Sequence, residues 1–317
     1  MFKAQVVTAF EKYLGLPMVG GKNKVNMFKD LRERIAKQIT RWKEKFISKV
    51  GREVLIKTVV QAIPTYSMSL FQLPKALCSN INSIMAKYWW GQMSNERKIH
   101  WINWKRLCDP KKAGGMGFCD IHAFNLAMLA KQAWRLLNHQ NSLFFRVNKA
   151  RYFPNVSFLK AELGSNPSYV WRSLLKAREI IVAGAKWKVG SGTLINIMGH
   201  QWLPKLPCLH REGPGPLKVR ELMDEETGQW NRATITYWFE PHTYAIILSV
   251  PLPNMQANDA LVWKENKSNT FSVKSAYSVA LRMLHHSSGD HSNATTDRRT
   301  WKAVWSLNTP PKVRTFL

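Results

Sequence analysis

Phosphoryl chemistry with divalent metals needs several carboxylates converging within a few ångströms, and this sequence supplies carboxylates sparsely. It has no Asp-Asp pair, no carboxylate between Glu53 and Glu96, and none between Asp120 and Glu162. Its one acidic run, Asp224-Glu225-Glu226, abuts Gly228 and reads as a solvated turn. Acids distant in sequence can still meet in space, so sparse spacing lowers the expectation without closing it. Cys108, Cys119 and His122 include a Cys-x-x-His spacing of the kind zinc uses, but a fourth ligand at short spacing is missing. His285, His286 and His291 fall in a polar stretch with no cysteine nearby. Neither Gly-x-Ser-x-Gly nor a Gly-Lys-Ser/Thr phosphate loop occurs. Gly190-Ser191-Gly192 reads as turn geometry. The expectation is no catalytic residue, no metal and no cofactor.

What the residue types can do is hold a polyanion. Lysine and arginine number 47 against 20 acids, a net charge of +27. Residues 1–190 carry 33 basic and 10 acidic side chains, and residues 191–317 carry 14 and 10. Such an excess on a folded body predicts a nucleic-acid partner, with an anionic membrane surface as the weaker alternative. The densest stretch, residues 22–57, holds 12 basic and 4 acidic residues. Its candidates for phosphate contact are Lys29, Arg32, Lys37, Arg41, Lys43, Lys45, Lys49, Arg52 and Lys57. Of the 14 tryptophans, Trp42 and Trp134 fall on apolar helix faces and read as core. Trp89, Trp90, Trp101 and Trp104 flank Arg97, Lys98, Lys105 and Arg106, the pattern of a base-stacking surface.

The elements that must position these residues are mostly helical. Phe28, Leu31, Ile35, Ile39, Trp42, Phe46 and Val50 recur at steps of three and four, predicting one amphipathic helix over 25–50 that ends at Gly51. A second helix is expected over 52–63, before Pro64, and a third within 66–90. Residues 91–120 read as loop, with Lys111 to Gly117 rich in turn signals. Helical spacing returns over 122–152 and 168–183. Residues 187–199 predict a β-hairpin around Gly190-Ser191-Gly192, and 203–218 a linker. A second hairpin is expected over 260–273, turning at Glu265 to Asn269, followed by a helix over 272–285 and a polar stretch to Arg299.

A chain of 317 residues with 45% apolar content can bury a core. Its four scattered cysteines suit a reducing, intracellular setting better than a disulfide framework. No stretch approaches the length of a membrane span, and Glu11 interrupts any apolar leader. The expected fold is α+β, mainly α. A basic helical region covers 1–95, a second helical region 96–185, a hairpin and linker region 186–258, and a last region 259–317 that stops on the apolar Val313–Leu317.

Several stretches carry a family resemblance in order along the chain. They are YLGLP at 13–17, GREVLIKTVVQAIPTYSMSLFQLP at 51–74, YWWG at 88–91 and KIHWINWKRLCDPKKAGGMGF at 98–118. Further along come FNLAMLAKQAWRLL at 124–137, SYVWRSLLKAR at 168–178, WKVGSG at 187–192, FSVKSAY at 271–277 and WKAVWSLNTPPKVRTF at 301–316. Together they resemble the region downstream of the polymerase palm in plant non-LTR retrotransposon reverse transcriptases. The resemblance implies a thumb over 25–90 that grips RNA–DNA duplex. It implies catalytic carboxylates upstream of YLGLP, outside this sequence, and a zinc-binding reverse transcriptase domain whose ligands would follow Phe316. Ser191 stands where that family usually has an acid, and Met198-Gly199-His200 also departs from its pattern. The reading is then a nucleic-acid-binding remnant, intracellular and nuclear, without polymerase activity of its own. The alternatives are an accessory part of an RNA-directed DNA polymerase whose palm is supplied elsewhere, and a host-adopted interaction protein.

Overall fold

The computed structural model describes residues 12–13, 16–17, 27–42, 47–91, 99–211, 213, 215–224, 226–252, 257–286, 303 and 305–309. Among these the chain is mainly α-helical with little strand. It divides into two compact units, the first formed by residues 1–178 and 277–317, the second by Glu179–Ala276.

The first unit's described residues open with two-residue strands β1 (Lys12–Tyr13) and β2 (Leu16–Pro17), paired antiparallel across the YLGLP stretch. Helix α1 (Lys29–Thr40) buries Leu31, Ile35 and Ile39, the face its periodicity predicts. The predicted single helix over 25–50 is divided: α1 gives way at Arg41 and Trp42, and α2 (Lys49–Leu55) begins anew. The cause is local. Ser48 sits in extended conformation and its hydroxyl accepts from Gly51 N–H at 3.2 Å, capping α2. Gly51 therefore lies in the first turn of a helix and does not end one. The helix widens into a π turn at Ile56–Val60 and stops short of Pro64.

Short α3 (Thr65–Met68) leads to α4 (Lys75–Trp90), opened by Pro74 and closed by Gly91 in left-handed conformation. Within the predicted loop, α5 (Trp104–Leu107) is capped by Asn103. The chain then folds back so that Met116 N and Phe118 N both donate to Leu107 O. Gly115 is required there, because a Cβ would lie 2.0 Å from Asp109 O. Asp120 caps α6 (Ile121–Asn138), and Ser142 caps α7 (Leu143–Tyr152), so the predicted helix over 122–152 is two. Helix α4 packs against both α1 and α6.

Helix α8 (Tyr169–Gly184) follows, and a buried polar clasp holds the α3–α4 corner. Asn125, fully buried on α6, donates to Met68 O and Phe71 O at 2.9 and 2.8 Å and accepts from Leu73 N at 2.8 Å. Ser173 on α8 accepts from Gln72 N at 2.8 Å. Four backbone groups that form no regular ladder are satisfied this way, as burial demands.

In the second unit β3 (Ala185–Lys188) pairs antiparallel with β4 (Ala260–Trp263), Ala185 opposite Trp263 and Lys188 opposite Ala260. This overturns both predicted hairpins. The segment after Gly190-Ser191-Gly192 forms no strand with β3, touching it by a hydrogen bond from Trp187 N to Gln201 O at 2.8 Å, and β4 turns at Lys264 to Asn269 without gaining a partner strand in 270–273. The strands chose each other across more than seventy residues, because Gly184 lets the Trp263 indole close over the backbone; a Cβ there would lie 2.2 Å from its ring. Between them lie α9 (Arg232–Trp238) and α10 (Pro241–Ser249), packed around Ile195, Ile197, Trp202, Val219, Leu222, Phe239 and Ile247. The predicted linker over 203–218 is crossed by backbone pairing, with Leu209 opposite Phe239 and Lys218 opposite Asn196. Helix α11 (Val273–His286) ends the second unit's stretch at Ala276 and continues into residues assigned to the first.

Candidate nucleic-acid interface

With Leu31, Ile35 and Ile39 turned into the core, α1 has to present its charges outward. Lys29, Arg32, Lys37 and Arg41 are all exposed. Arg34, absent from the predicted set, is exposed too and shares the spacing of three and four with Lys37 and Arg41. That spacing was legible beforehand. Lys29 lies 3.6 Å from Glu33, an exposed i,i+4 pair of small energetic weight. Lys49 on α2 is exposed and holds its Nζ 5.2 Å from the Trp90 ring and 5.8 Å from the Trp89 ring.

Other predicted phosphate-binding and stacking residues are occupied by packing. Trp89 is 3% exposed and meets Phe118 edge-on at 5.1 Å, so it offers no face to a base and is a core residue. Trp104 stacks on Phe118 at 4.9 Å and is half-buried. Lys57 donates to Glu53 Oε1 at 2.6 Å and Met116 O at 2.7 Å, with its Nζ 5.5 Å from the Phe118 ring. Arg52 is half-buried and donates to Trp89 O. Both cations fasten α2 to its surroundings. Arg106 is half-buried, 3.9 Å from Asp109. Lys105 is exposed. Trp90 is half-buried and stacks on His100 at 5.9 Å, whereas Trp101 is 77% exposed. Lys43, Lys45, Arg97 and Lys98 lie outside the described residues, as do the polar stretch 287–299 and the final segment 310–317.

Glu53 is the carboxylate that makes this packing of cations possible. Its Oε1 also lies 3.1 Å from Lys111 Nζ, which sits 4.4 Å from the Trp305 ring. Burial pushes its carboxyl up, but Lys57 and Lys111 together more than offset burial and hold it below the usual carboxylate range. Sequence reading missed this triad because Lys111 is remote from Glu53 along the chain.

Cys108 is buried, and Cys119 and His122 are half-buried. Burial, and then the Asp120 charge, push the Cys119 thiol up to about 12 and the Cys108 thiol higher still. Burial also pulls His122 down. Asp120 is spent on structure: it accepts from Ala123 N at 2.8 Å and Asn82 Nδ2 at 2.9 Å, while its own N–H donates to Tyr277 Oη at 2.9 Å. Among the described residues no three His, Cys, Asp or Glu side chains gather into a metal-holding group. Among them, too, no helix is long and apolar enough to cross a membrane.

The Gly190-Ser191-Gly192 turn forms a nest of N–H groups, but the protein's own carboxylate fills it. Asp259 Oδ1 accepts from Gly190 N and Gly192 N, and Oδ2 from Leu194 N, each at 2.8 Å. A Cβ at Gly190 would lie 2.4 Å from Ala257 O, so the turn and the residues before Asp259 are fitted backbone to backbone. No acid within the turn is needed for this closure; it comes from 67 residues away.

The charge follows the units. Of the 47 basic and 20 acidic residues, Glu179–Ala276 holds 10 and 9, leaving 37 and 11 in the first unit: +1 against +26.

No protein-family profile matches the chain. It is 28% identical over 314 residues, 95% of its length, to an Arabidopsis thaliana protein named "Putative ribonuclease H protein", of which it spans about half, 49%. It is 39% identical over 143 residues to an "Uncharacterized mitochondrial protein" of Arabidopsis thaliana, a match over 45% of this chain and 93% of that protein. Both relatives are plant proteins, and at that identity and coverage the chain belongs to the family of the Arabidopsis mitochondrial protein.

Proposed function

We propose that this chain binds nucleic acid through the basic helical face of its first unit, as a remnant of a plant retroelement reverse transcriptase without polymerase activity of its own. The observation that carries the reading is the segregation of charge: +26 of the net +27 belongs to one unit. Unless a polyanion neutralises it, such a body repels itself. The exposed row of Arg34 and Lys37 on α1 and Arg41 just past its end, with Lys49 on α2, is the surface on which phosphates would lie. RNA–DNA duplex is the preferred ligand, by likeness to a thumb and by the name of the longer relative. A nuclear location is proposed with it.

The test is a salt titration of binding to RNA–DNA duplex by the full chain and by a variant with Arg34, Lys37, Arg41 and Lys49 all changed to Gln. Every phosphate that the variant no longer neutralises should lower the salt slope by about 0.9, and affinity at low salt should fall about a hundredfold. An unchanged slope would move the interface off these helices. Primer extension with magnesium by the purified chain would overturn the non-catalytic part of the reading. A second reading is favoured by the match to half of a longer protein: the chain is an accessory piece of a polymerase, and extension would then appear when a palm fragment is added.

A further inference from the structure

Fourteen tryptophans are present, and among the described residues Trp101 is the one that stands exposed. Its neighbours Ile99 and Ile102 are 69% and 40% exposed, so a small apolar cluster faces water on the cationic first unit. A lone surface hydrophobe needs no explanation, but a cluster of three does. The loop is not simply loose. On one side His100 is stacked on Trp90, which Lys49 overlies. On the other, Asn103 caps α5 by accepting from Lys105 N at 3.1 Å, and Trp104 is stacked on Phe118 with 12° between the rings. Two anchored aromatics thus hold the intervening indole out, with Lys49 near one anchor and exposed Lys105 beyond the other.

We infer that Trp101 is a stacking platform for an unpaired nucleobase, so that the chain prefers duplex bearing a single-stranded overhang to blunt duplex. The inference rests on the nucleic-acid reading above and deepens it. A flat indole face suits any base without sequence preference, and the cationic excess of the first unit attracts the strand's phosphates. Paired bases inside a duplex expose no such face, which is why the occupant is unpaired. An exposed Trp-Ile cluster on a cationic body could also enter an anionic bilayer. The stacked supports and the charge spread over two further helices favour a strand of nucleic acid.

The experiment compares blunt RNA–DNA duplex with the same duplex carrying a short single-stranded extension, using the full chain, Trp101→Ala and Trp101→Phe. The native chain should bind the extended duplex about tenfold more tightly. Trp101→Ala should lose that preference while keeping blunt-duplex affinity, and Trp101→Phe should retain most of it. Because Trp101 is exposed, unchanged thermal unfolding will certify the variants. Equal affinity of the native chain for both duplexes, with a steep salt slope, would overturn the stacking site and leave the broader reading intact. Absence of salt-sensitive binding to either would overturn both. Loss of binding to phosphatidylcholine–phosphatidylserine vesicles in Trp101→Ala, with overhang preference unchanged, would assign the loop to membranes and overturn the proposal.

Discussion

The two units solve one problem, the burial of irregular backbone, with opposite chemistry. In the first, a neutral amide does it: Asn125 clasps Met68, Phe71 and Leu73 from inside the core. In the second, a carboxylate does it: Asp259 gathers the N–H groups of Gly190, Gly192 and Leu194. Where acids do enter the first unit's core packing, as Glu53 does, two lysines are on it. The second unit, with 10 basic and 9 acidic residues, is charge-balanced and closes on itself. The difference teaches that a strongly cationic surface is compatible with a stable interior when the interior's polar work is neutral or locally compensated. A +26 unit can leave most of its charge outside.

That contrast can be broken at its two clasps. Asn125→Leu should have the largest effect, because three buried backbone groups lose their partner at about 1–3 kcal/mol each. Urea unfolding should then register a loss of about 3–6 kcal/mol, and an unfolding curve that coincides with the native one would refute the clasp. Asp259→Ala should cost somewhat less, about 2–4 kcal/mol, since the site is nearer water. Hydrogen exchange should place that loss in residues 185–263, with nucleic-acid binding kept. Exchange rising equally over 27–91 would mean the units do not differ as described.

Acid offers a finer probe. Glu53 is held below the usual carboxylate range when folded, so it contributes stability that is full above its unfolded pKa. That contribution is lost as pH falls through the lower, folded value. Glu53→Gln should cost about 1–2 kcal/mol at neutral pH and flatten the pH dependence of stability below about pH 4.5. A variant whose stability falls in acid as steeply as the native protein's would move that sensitivity to another group. The smallest effect sharpens the electrostatic side of the comparison. Changing the exposed Lys186, Lys188, Lys205 and Arg232 of the second unit to Gln should alter duplex affinity by no more than about twofold, as expected for charges that touch no phosphate. A loss as large as that from the α1 and α2 substitutions would erase the division of labour.

How much of this was readable beforehand depended on range. The core face of α1 was legible because Leu31, Ile35 and Ile39 recur at the helical period, and burial at that period is a property of one segment. The break before α2 was written there too, in Ser48, but it is a capping signal and spacing alone passes over it. The four indoles near the basic loop read alike along the chain but differ in the structure. Trp89 and Trp104 pack against Phe118, whereas Trp101 faces water, and nothing local distinguishes them.

By itself the sequence determined the helical class, the helix faces and the cationic excess of the amino-terminal two-thirds, since each follows from residue type and near neighbours. Tertiary structure alone decided that β3 pairs with β4, that Asp259 fills the Gly190–Leu194 nest, and that Lys57 and Lys111 share Glu53. Strand edges, N–H nests and buried charges accept any partner of suitable shape or sign. Which one arrives is set by the path of the whole chain.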